Sequence, residues 1–263
     1  MARFCSLFSS SSGNCTYIGG ASGGILIDVG VSAKRTAAAL LDIGVDICSI
    51  GAIFITHEHS DHVNGLRVFA GAHGIEVYTS GGTLQALEEK NILTEKYAVS
   101  VIPHSGVEAC GMLVTPFSTS HDSKESVGYL VKTPDGRSIA IATDTGIVTD
   151  DTMQALLGCD MVMLESNHDV RMLESGPYPY FLKRRVLSNQ GHLSNEVCAD
   201  TAQALLGSGT TRFVLGHLSK QNNFPDLAYQ ATSSAFCKAG AQEGVDFILT
   251  VAGSAEGSRV IKF

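Results

Sequence analysis

Seven consecutive residues, THEHSDH at positions 56–62, constrain this chain more than any other feature of its sequence. They directly follow a short apolar run that predicts a strand. Side chains two apart on an extended segment point the same way, so His57 and His59 can bind one cation together. Asp61 and His62 come where the chain turns into the next predicted helix and would face a second cation. Imidazole with carboxylate suits zinc, manganese or iron rather than calcium.

The alternative interpretation of this segment is a solvated, histidine-rich turn in which Asp61 caps the following helix. Three histidines and an aspartate within six residues, directly after an apolar strand, favour the metal site over the turn. We therefore predict a metal site here.

The H-x-H-x-D-H pattern, followed by Gly65, resembles the signature of the metallo-β-lactamase superfamily. The resemblance implies a mixed α/β (α+β) fold, a four-layer αββα sandwich with the site at one edge of its two sheets. It also implies further ligands after later strands. Candidates follow three predicted strands: His121 after Met112–Phe117, Asp144 after Ser138–Thr143, and His217 after Arg212–Leu215.

By this resemblance, two groups of side chains each hold one divalent metal ion, and Asp144 bridges the two ions. The first group is His57, His59 and His121, and the second is Asp61, His62 and His217. Taken alone, a histidine at a strand end is usually a structural residue. Several such elements in the expected order, each at a strand end, favour the metal-site interpretation.

Two cations about 3.5–4 Å apart can share a water molecule and lower its pKa towards neutrality. The resulting hydroxide attacks carbon or phosphorus while the cations stabilise the developing negative charge. No serine or cysteine nucleophile is needed, and neither a Gly-x-Ser-x-Gly nor a Walker-type loop occurs. We therefore predict a metal-dependent hydrolase with two ions, zinc or manganese with iron as a further alternative, in which Asp61 is also a catalytic residue.

Four other segments bear on the substrate. The loop SSGNCTY at 11–17 resembles the S-G-N loop of nuclease and phosphodiesterase branches. Segments ESNHD at 165–169, GHLSN at 191–195 and HLSKQNN at 217–223 resemble the YycJ (WalJ) group. That group implies a DNA exonuclease acting on double-stranded ends from the 5′ side.

Other functions stay open at this point. RNA-processing enzymes and cyclic phosphodiesterases have similar cores, and thioester or lactam hydrolases share the first motif. A non-enzymatic metal-bound sensor or scaffold is disfavoured because all seven ligand positions are filled. The favoured substrate is nucleic acid, with DNA ahead of RNA, and no obligate protein partner can be inferred.

His192 is the candidate general acid for the leaving oxygen, or a phosphate ligand; its alternative is a polar turn before a helix capped by Ser194. That helix N-terminus is itself a candidate phosphate site. Candidate substrate contacts are Asn14, His168, Ser194, Lys183, Arg184 and Arg185. For His168 and Glu165 a structural role is an equal alternative, and the basic cluster has the alternative of a solvated face.

The formal net charge is −8 with a sequence pI near 5.5, which argues against broad non-specific nucleic-acid binding. It does not exclude a nuclease, because two divalent cations would add about four positive charges at the site. The seven cysteines are odd in number and form no C-x-x-C pair. We expect free thiols in a soluble, cytoplasmic protein without membrane association.

The predicted elements alternate without a linker, and we expect one domain over 1–263. Residues 145–216 suffice only for the core, so no inserted accessory domain is expected. Strands are predicted at Arg3–Phe8, Thr16–Ile18, Gly24–Asp28, Ala52–Thr56, Glu76–Ser80, Val99–Ile102, Met112–Phe117, Gly128–Thr133, Ser138–Thr143, Met161–Glu165, Arg212–Leu215, Phe247–Val251 and Arg259–Ile261. Helices are predicted from a cap at Ser32 to Gly44, and at Asn64–His73, Thr83–Lys90, Thr152–Leu157, Glu196–Leu206 and Asp226–Lys238.

Overall fold

Two mixed β-sheets dominate the structure. A computed structural model describes residues 1–253 and 260–263, and within them each sheet has seven strands. The first sheet has the order β14-β1-β2-β3-β4-β5-β6. Its strands are β1 (Arg3–Phe8), β2 (Cys15–Gly20), β3 (Gly23–Ile27), β4 (Ile50–Phe54), β5 (Glu76–Thr79), β6 (Val99–Val101) and β14 (Ile261–Lys262).

The second sheet has the order β13-β12-β11-β10-β9-β8-β7. Its strands are β7 (Val107–Ala109), β8 (Met112–Ser118), β9 (Val127–Lys132), β10 (Ser138–Ala142), β11 (Met161–Glu165), β12 (Arg212–Gly216) and β13 (Ile248–Val251). Both sheets are half parallel: β3 to β6 run parallel in one, and β10 to β13 run parallel in the other.

Helices cover the outer face of each sheet. The first sheet is covered by α1 (Ala33–Asp42), α3 (Leu66–His73) and α4 (Gly81–Glu89), and the second by α5 (Asp150–Leu156), α8 (Asn195–Gly207) and α9 (Pro225–Lys238). The short helices α2 (Ser60–Val63), α6 (Val170–Ser175) and α7 (Tyr180–Val186) lie in connections between strands and longer elements.

Alternation along the strands explains the layers. In β10, Ile139 and Ile141 pack between the sheets, whereas Ala140 and Ala142 pack against the helices of the second sheet. Both faces of such a strand are buried, so the strand reads as a continuous apolar run. The outcome is the expected four-layer αββα sandwich.

The site lies where several strands end in the same direction. Because β3 and β4 are parallel, their carboxyl ends meet at one edge of the first sheet. In the second sheet β10, β11 and β12 are parallel, and β8 has the same direction because it is antiparallel to β9. Loops that leave these strands therefore start along the same edge of their sheet.

Most predicted elements are present, with ends that match or differ by one or two residues. Strand β7 and helices α2, α6 and α7 were not predicted. The helix predicted at Asn64–His73 is α3, which begins two residues later at Leu66; the Gly65 N–H donates to the Val29 carbonyl and so lies outside the helix. Of the strand predicted at Arg259–Ile261, Arg259 lies outside the described residues. Within the described ranges, no helix has the length and apolar character to cross a bilayer.

Candidate metal centre

The loop after β4 carries several of the predicted ligand side chains. The N–H and the hydroxyl of Thr56 donate to Asp28, which holds the start of the loop. His57 is fully buried, and its Nδ1 lies 3.0 Å from the Thr56 hydroxyl. Helix α2 then begins at Ser60 and brings Asp61 and His62 back towards the same region. The loop therefore presents four donor side chains to one buried space.

The first predicted group comes together. One donor atom from each of His57, His59 and His121 lies within 4.8 Å of the other two. His59 Nδ1 is 3.3 Å from His121 Nε2. The other nitrogen of His121, Nδ1, lies 3.0 Å from the Gly191 carbonyl, which leaves Nε2 to face the group.

The second predicted group also comes together, with donor atoms of Asp61, His62 and His217 within 4.8 Å of one another. Asp61 Oδ2 lies 3.6 Å from His62 Nε2 and 3.5 Å from His217 Nε2. Asp144 sits between the groups: its Oδ2 is 3.2 Å from His62 Nε2, and its Oδ1 is 3.8 Å from His121 Nε2. One carboxylate thus faces both groups.

Unpartnered atoms show that this donor set fits metal ions. His57 Nε2, His217 Nε2 and Asp144 Oδ2 are buried and have no hydrogen-bond partner. A buried polar atom without a partner is unfavourable by about 1–3 kcal/mol. A divalent cation coordinated by imidazole nitrogens and carboxylate oxygens would satisfy all three atoms.

The electrostatics of the protein alone also favour positive charge. Burial lowers the pKa of His217, but Asp144, Asp61 and Glu165 outweigh it and raise that pKa to about 10. Burial likewise opposes protonation of His62, yet Asp144 and Asp28 hold its pKa well above the ordinary value. In the absence of cations, these buried carboxylates therefore favour the protonated forms of His62 and His217.

Two buried carboxylates, Asp28 and Glu165, accept hydrogen bonds from the Nδ1 atoms of site histidines. The Nδ1 of His62 donates to Asp28 Oδ2 at 2.7 Å. The Nδ1 atoms of His192 and His217 both donate to Glu165 Oε1, at 2.8 and 2.6 Å. Burial opposes ionisation of Glu165, but His192 and His217 bring its pKa down to about 2. Such carboxylate–imidazole pairs fix the tautomer that leaves Nε2 free for a metal ion or a proton.

Asp28 was not predicted as a site residue, and the role of Glu165 was left open between a structural and a functional one. The signal for Asp28 was present, because it follows the apolar strand β3 just as Asp144 follows β10. Asp28, Asp144 and His217 also share a backbone feature: their φ angles are 62°, 57° and 55°. Positive φ is uncommon for residues with a side chain, and such strain clusters at functional sites.

His192 lies beside two of the candidate ligands, His121 and His217. Its ring lies 5.0 Å from that of His121 and 5.2 Å from that of His217, centroid to centroid. Its Nδ1 is held by Glu165, and 14% of the side chain is exposed. The free Nε2 is therefore the atom that can meet a ligand entering from solvent.

Asn14 and Ser194 both have hydrogen-bond partners within the protein. Asn14 is buried, and its Nδ2 lies 3.3 Å from Asp61 Oδ2 and 3.0 Å from His62 Nε2. Asn14 thus contacts the candidate ligands and positions Asp61. Ser194 accepts the N–H of Val197 and caps α8, as predicted.

His168 is not among the donor groups. It is 1% exposed, and neither ring nitrogen has a partner. Burial lowers its pKa to about 4, so the ring is neutral near pH 7.

The predicted basic cluster lies on α7, and each of its members has a contact within the protein. Lys183 Nζ donates to the Glu174 carbonyl at 2.7 Å. Arg184 lies over the Tyr180 ring at 6.0 Å. Arg185 forms a two-point ion pair with Asp122, which follows His121.

This chain resembles proteins of a known family. The family model described as a beta-lactamase superfamily domain matches residues 24–218. The chain therefore belongs to the metallo-β-lactamase superfamily, and it is a metal-dependent hydrolase.

Within that superfamily the chain is a YycJ-like member. It is 36% identical over 248 residues to the exodeoxyribonuclease WalJ of Streptococcus pneumoniae, covering 93% of this chain and 92% of that protein. It is 37% identical over 249 residues to the exodeoxyribonuclease YycJ of Bacillus anthracis, covering 93% of each. Among solved structures, the fold is shared with the metallo-beta-lactamase fold protein YhfI of Bacillus subtilis, at TM-score 0.73 and 12% identity over 99% of this chain and 98% of the other.

Proposed function

We propose that this protein is a nuclease with two metal ions that hydrolyses phosphodiester bonds of DNA from the 5′ end. The observation that carries the proposal is the shared carboxylate of Asp144, which faces two complete groups of donor side chains. The likeness to exodeoxyribonucleases along almost the whole chain supports DNA as the substrate class.

In this proposal His57, His59 and His121 would hold one ion, Asp61, His62 and His217 would hold the other, and the Asp144 carboxylate would serve both. We propose zinc or manganese, with iron as a further alternative, because imidazole and carboxylate suit all three. When bound, such ions supply Lewis acidity, which lowers the pKa of a shared water and stabilises charge on the phosphate.

Two side chains of the protein would act on the attacking water and on the leaving oxygen. Asp61 lies at the rim of the second group, and its carboxylate can orient the attacking water by accepting a hydrogen bond. His192 can donate its Nε2 proton to the leaving oxygen, because Glu165 holds Nδ1 in its protonated form at 2.8 Å. Positioned acids of this kind contribute about 10²–10⁴-fold in rate.

None of the seven cysteines forms a disulfide, and four of them are buried. Free thiols persist in a reducing compartment. We therefore propose that the protein works in the cytoplasm, in contact with nucleic acid.

The test is a substrate panel under zinc, manganese or magnesium. It comprises duplex DNA labelled at the 5′ or the 3′ end, RNA, bis-p-nitrophenyl phosphate and a glutathione thioester. We expect immediate release of labelled mononucleotide from 5′-labelled duplex and a ladder of shortened strands from 3′-labelled duplex. Turnover of the thioester without cleavage of any phosphodiester would overturn the proposal, and the reverse label pattern would overturn the polarity.

Two variants connect the assay to the site. Asp144→Asn removes the shared charge and should abolish cleavage. His104→Gln, a change of an exposed histidine outside the site, is the matched control and should cleave like the wild type.

A further inference from the structure

Helix α7 presents two aromatic side chains to solvent. Tyr180 is 75% exposed and Phe181 is 74% exposed, more than any other aromatic side chain in the described part of the chain. Exposed apolar groups that lie together mark interaction sites more often than single ones do. These two rings are neighbours in sequence and start a helix that connects two site motifs.

The same helix carries positive charge, in a chain whose net charge is −8. Lys183, Arg184 and Arg185 occupy its last turn. The Arg184 guanidinium lies over the Tyr180 ring, 6.0 Å from its centroid. Aromatic rings beside cations are the usual elements of single-strand binding, because bases stack on the rings and phosphates meet the charges.

Helix α7 is fixed to the metal centre at its other end. The His192 N–H donates to the Val186 carbonyl at 3.0 Å. A Cβ at Gly191 would lie 2.2 Å from that carbonyl, so the segment before His192 packs closely against the end of the helix. Arg185 adds an ion pair to Asp122, the residue after His121. The rings therefore have a defined position relative to the candidate general acid.

The length of α7 sets the scale of the distance from Tyr180 to Val186, the residue that contacts His192. Tyr180 precedes Val186 by six residues, which is about 9 Å along a helix axis. That length corresponds to roughly three stacked nucleotides at 3.4 Å each.

We propose that Tyr180 and Phe181 form a stacking platform for unpaired nucleobases of the strand that enters the metal centre. The inference rests on the proposed function and adds a preference for DNA ends with unpaired bases. Ends with a short single-stranded overhang, or with mismatched terminal pairs, bind more tightly than fully paired blunt ends, because only unpaired bases can stack on the rings.

The test measures binding of the metal-loaded enzyme to phosphorothioate-linked oligonucleotides that resist cleavage. A duplex with a three-nucleotide 5′ overhang carries 2-aminopurine in the overhang, and a blunt duplex of the same core is the reference. Stacking on an aromatic ring changes 2-aminopurine fluorescence. We expect a change with wild-type enzyme, and at least about fivefold tighter binding of the overhang than of the blunt end.

Three variants separate stacking from other roles of the same surface. The Y180L/F181L double variant keeps apolar bulk but removes the rings, so it should lose the overhang preference and the fluorescence change. The Y180F variant retains a ring and should keep both. L41A removes an exposed apolar side chain on α1, in the helical layer of the other sheet, and is the matched control.

Salt dependence gives an independent readout. Stacking releases no counterions, so Y180L/F181L should leave the slope of log affinity against log salt unchanged. R184A should reduce that slope by about one if Arg184 contacts a phosphate.

The outcomes are distinguishable. If Y180L/F181L binds the overhang like the wild type, the two rings are not a stacking platform and the proposed function stands. The same conclusion follows if the only effect of the double substitution is a change of oligomeric state in light scattering. If the wild type binds none of the oligonucleotides, the proposed function itself is wrong.

Discussion

The buried carboxylate of Asp28 accepts a hydrogen bond of 2.7 Å from Nδ1 of His62. Asp28 is not itself a member of the donor groups, yet it sets the tautomer of a candidate ligand, His62, and opposes the loss of positive charge from that ring. It also accepts the Thr56 N–H, so the same carboxylate fixes the loop that carries four of the seven candidate ligands.

Asp28→Asn should therefore weaken metal binding without removing any ligand. The amide keeps one acceptor oxygen but loses the charge behind His62, and changes of this kind reduce metal affinity by about 10–100-fold. Competition with a chromophoric chelator measures the affinity. Asp42→Asn, at an exposed position on α1, is the control. Equal affinity in the two variants would contradict the role of Asp28.

Glu165→Gln should affect both metal binding and catalysis, because one oxygen of Glu165 accepts from both His192 and His217. We expect a loss of metal affinity and a fall in kcat of about 100-fold or more. His192→Gln should lower kcat to a similar extent and leave the metal content unchanged. Metal content by mass spectrometry, together with kcat on 5′-labelled DNA, separates the two variants. A Glu165→Gln protein with full metal content and full kcat would show that the shared oxygen is only structural.

The seven candidate ligands could be named from the sequence because the first motif resembles a known signature and each further candidate follows a recognisable apolar strand. Parallel strands of one sheet end at the same edge, so residues such as Asp144 and His217 converge without knowledge of the full topology. The roles of Asp28 and Glu165 could not be derived in this way. They depend on β3 lying beside β4 and on β11 lying between β10 and β12, and the local pattern does not determine which strands pair.

The segment between Glu165 and His192 shows a second limit. Helices α6 and α7 have six and seven residues, too few for a clear helical period, and Pro177 and Pro179 lie between them. Exposure of Tyr180 and Phe181 is a tertiary property, because the same residues in a longer amphipathic helix would be expected in the core.

Gly30→Ala tests how closely the backbone packs at the second group. A Cβ at Gly30 would lie 1.6 Å from the Asp61 carbonyl oxygen and 2.6 Å from the Asn14 nitrogen. Relief of that overlap must displace Asp61, so we expect about 1–3 kcal/mol lower stability and weaker binding at one of two metal sites. Gly20→Ala is the matched control, since nothing lies within 4 Å of its Cβ position. Urea unfolding and metal titration of both variants provide the measurement; a Gly30→Ala protein that titrates like Gly20→Ala would contradict the expectation.

Removal of the metal should change how stability depends on pH. Without cations, the pKa of His217 is raised to about 10 and that of His62 lies well above its ordinary value, because buried carboxylates face both rings. A group whose pKa is higher in the folded state stabilises the fold below its unfolded pKa, and this contribution is lost as pH rises through the folded pKa. The melting temperature of the metal-free protein should therefore fall as pH is raised from about 7 to 10.

The metal-loaded protein should behave differently over the same range, because bound cations take the place of those protons. Binding must then release protons near neutral pH, and the affinity should rise with pH. Calorimetric titrations in two buffers of different ionisation enthalpy count the protons released. A pH-independent affinity with no proton release would show that His62 and His217 are already neutral in the metal-free protein. The expectation that neighbouring carboxylates keep these two rings protonated would then be wrong.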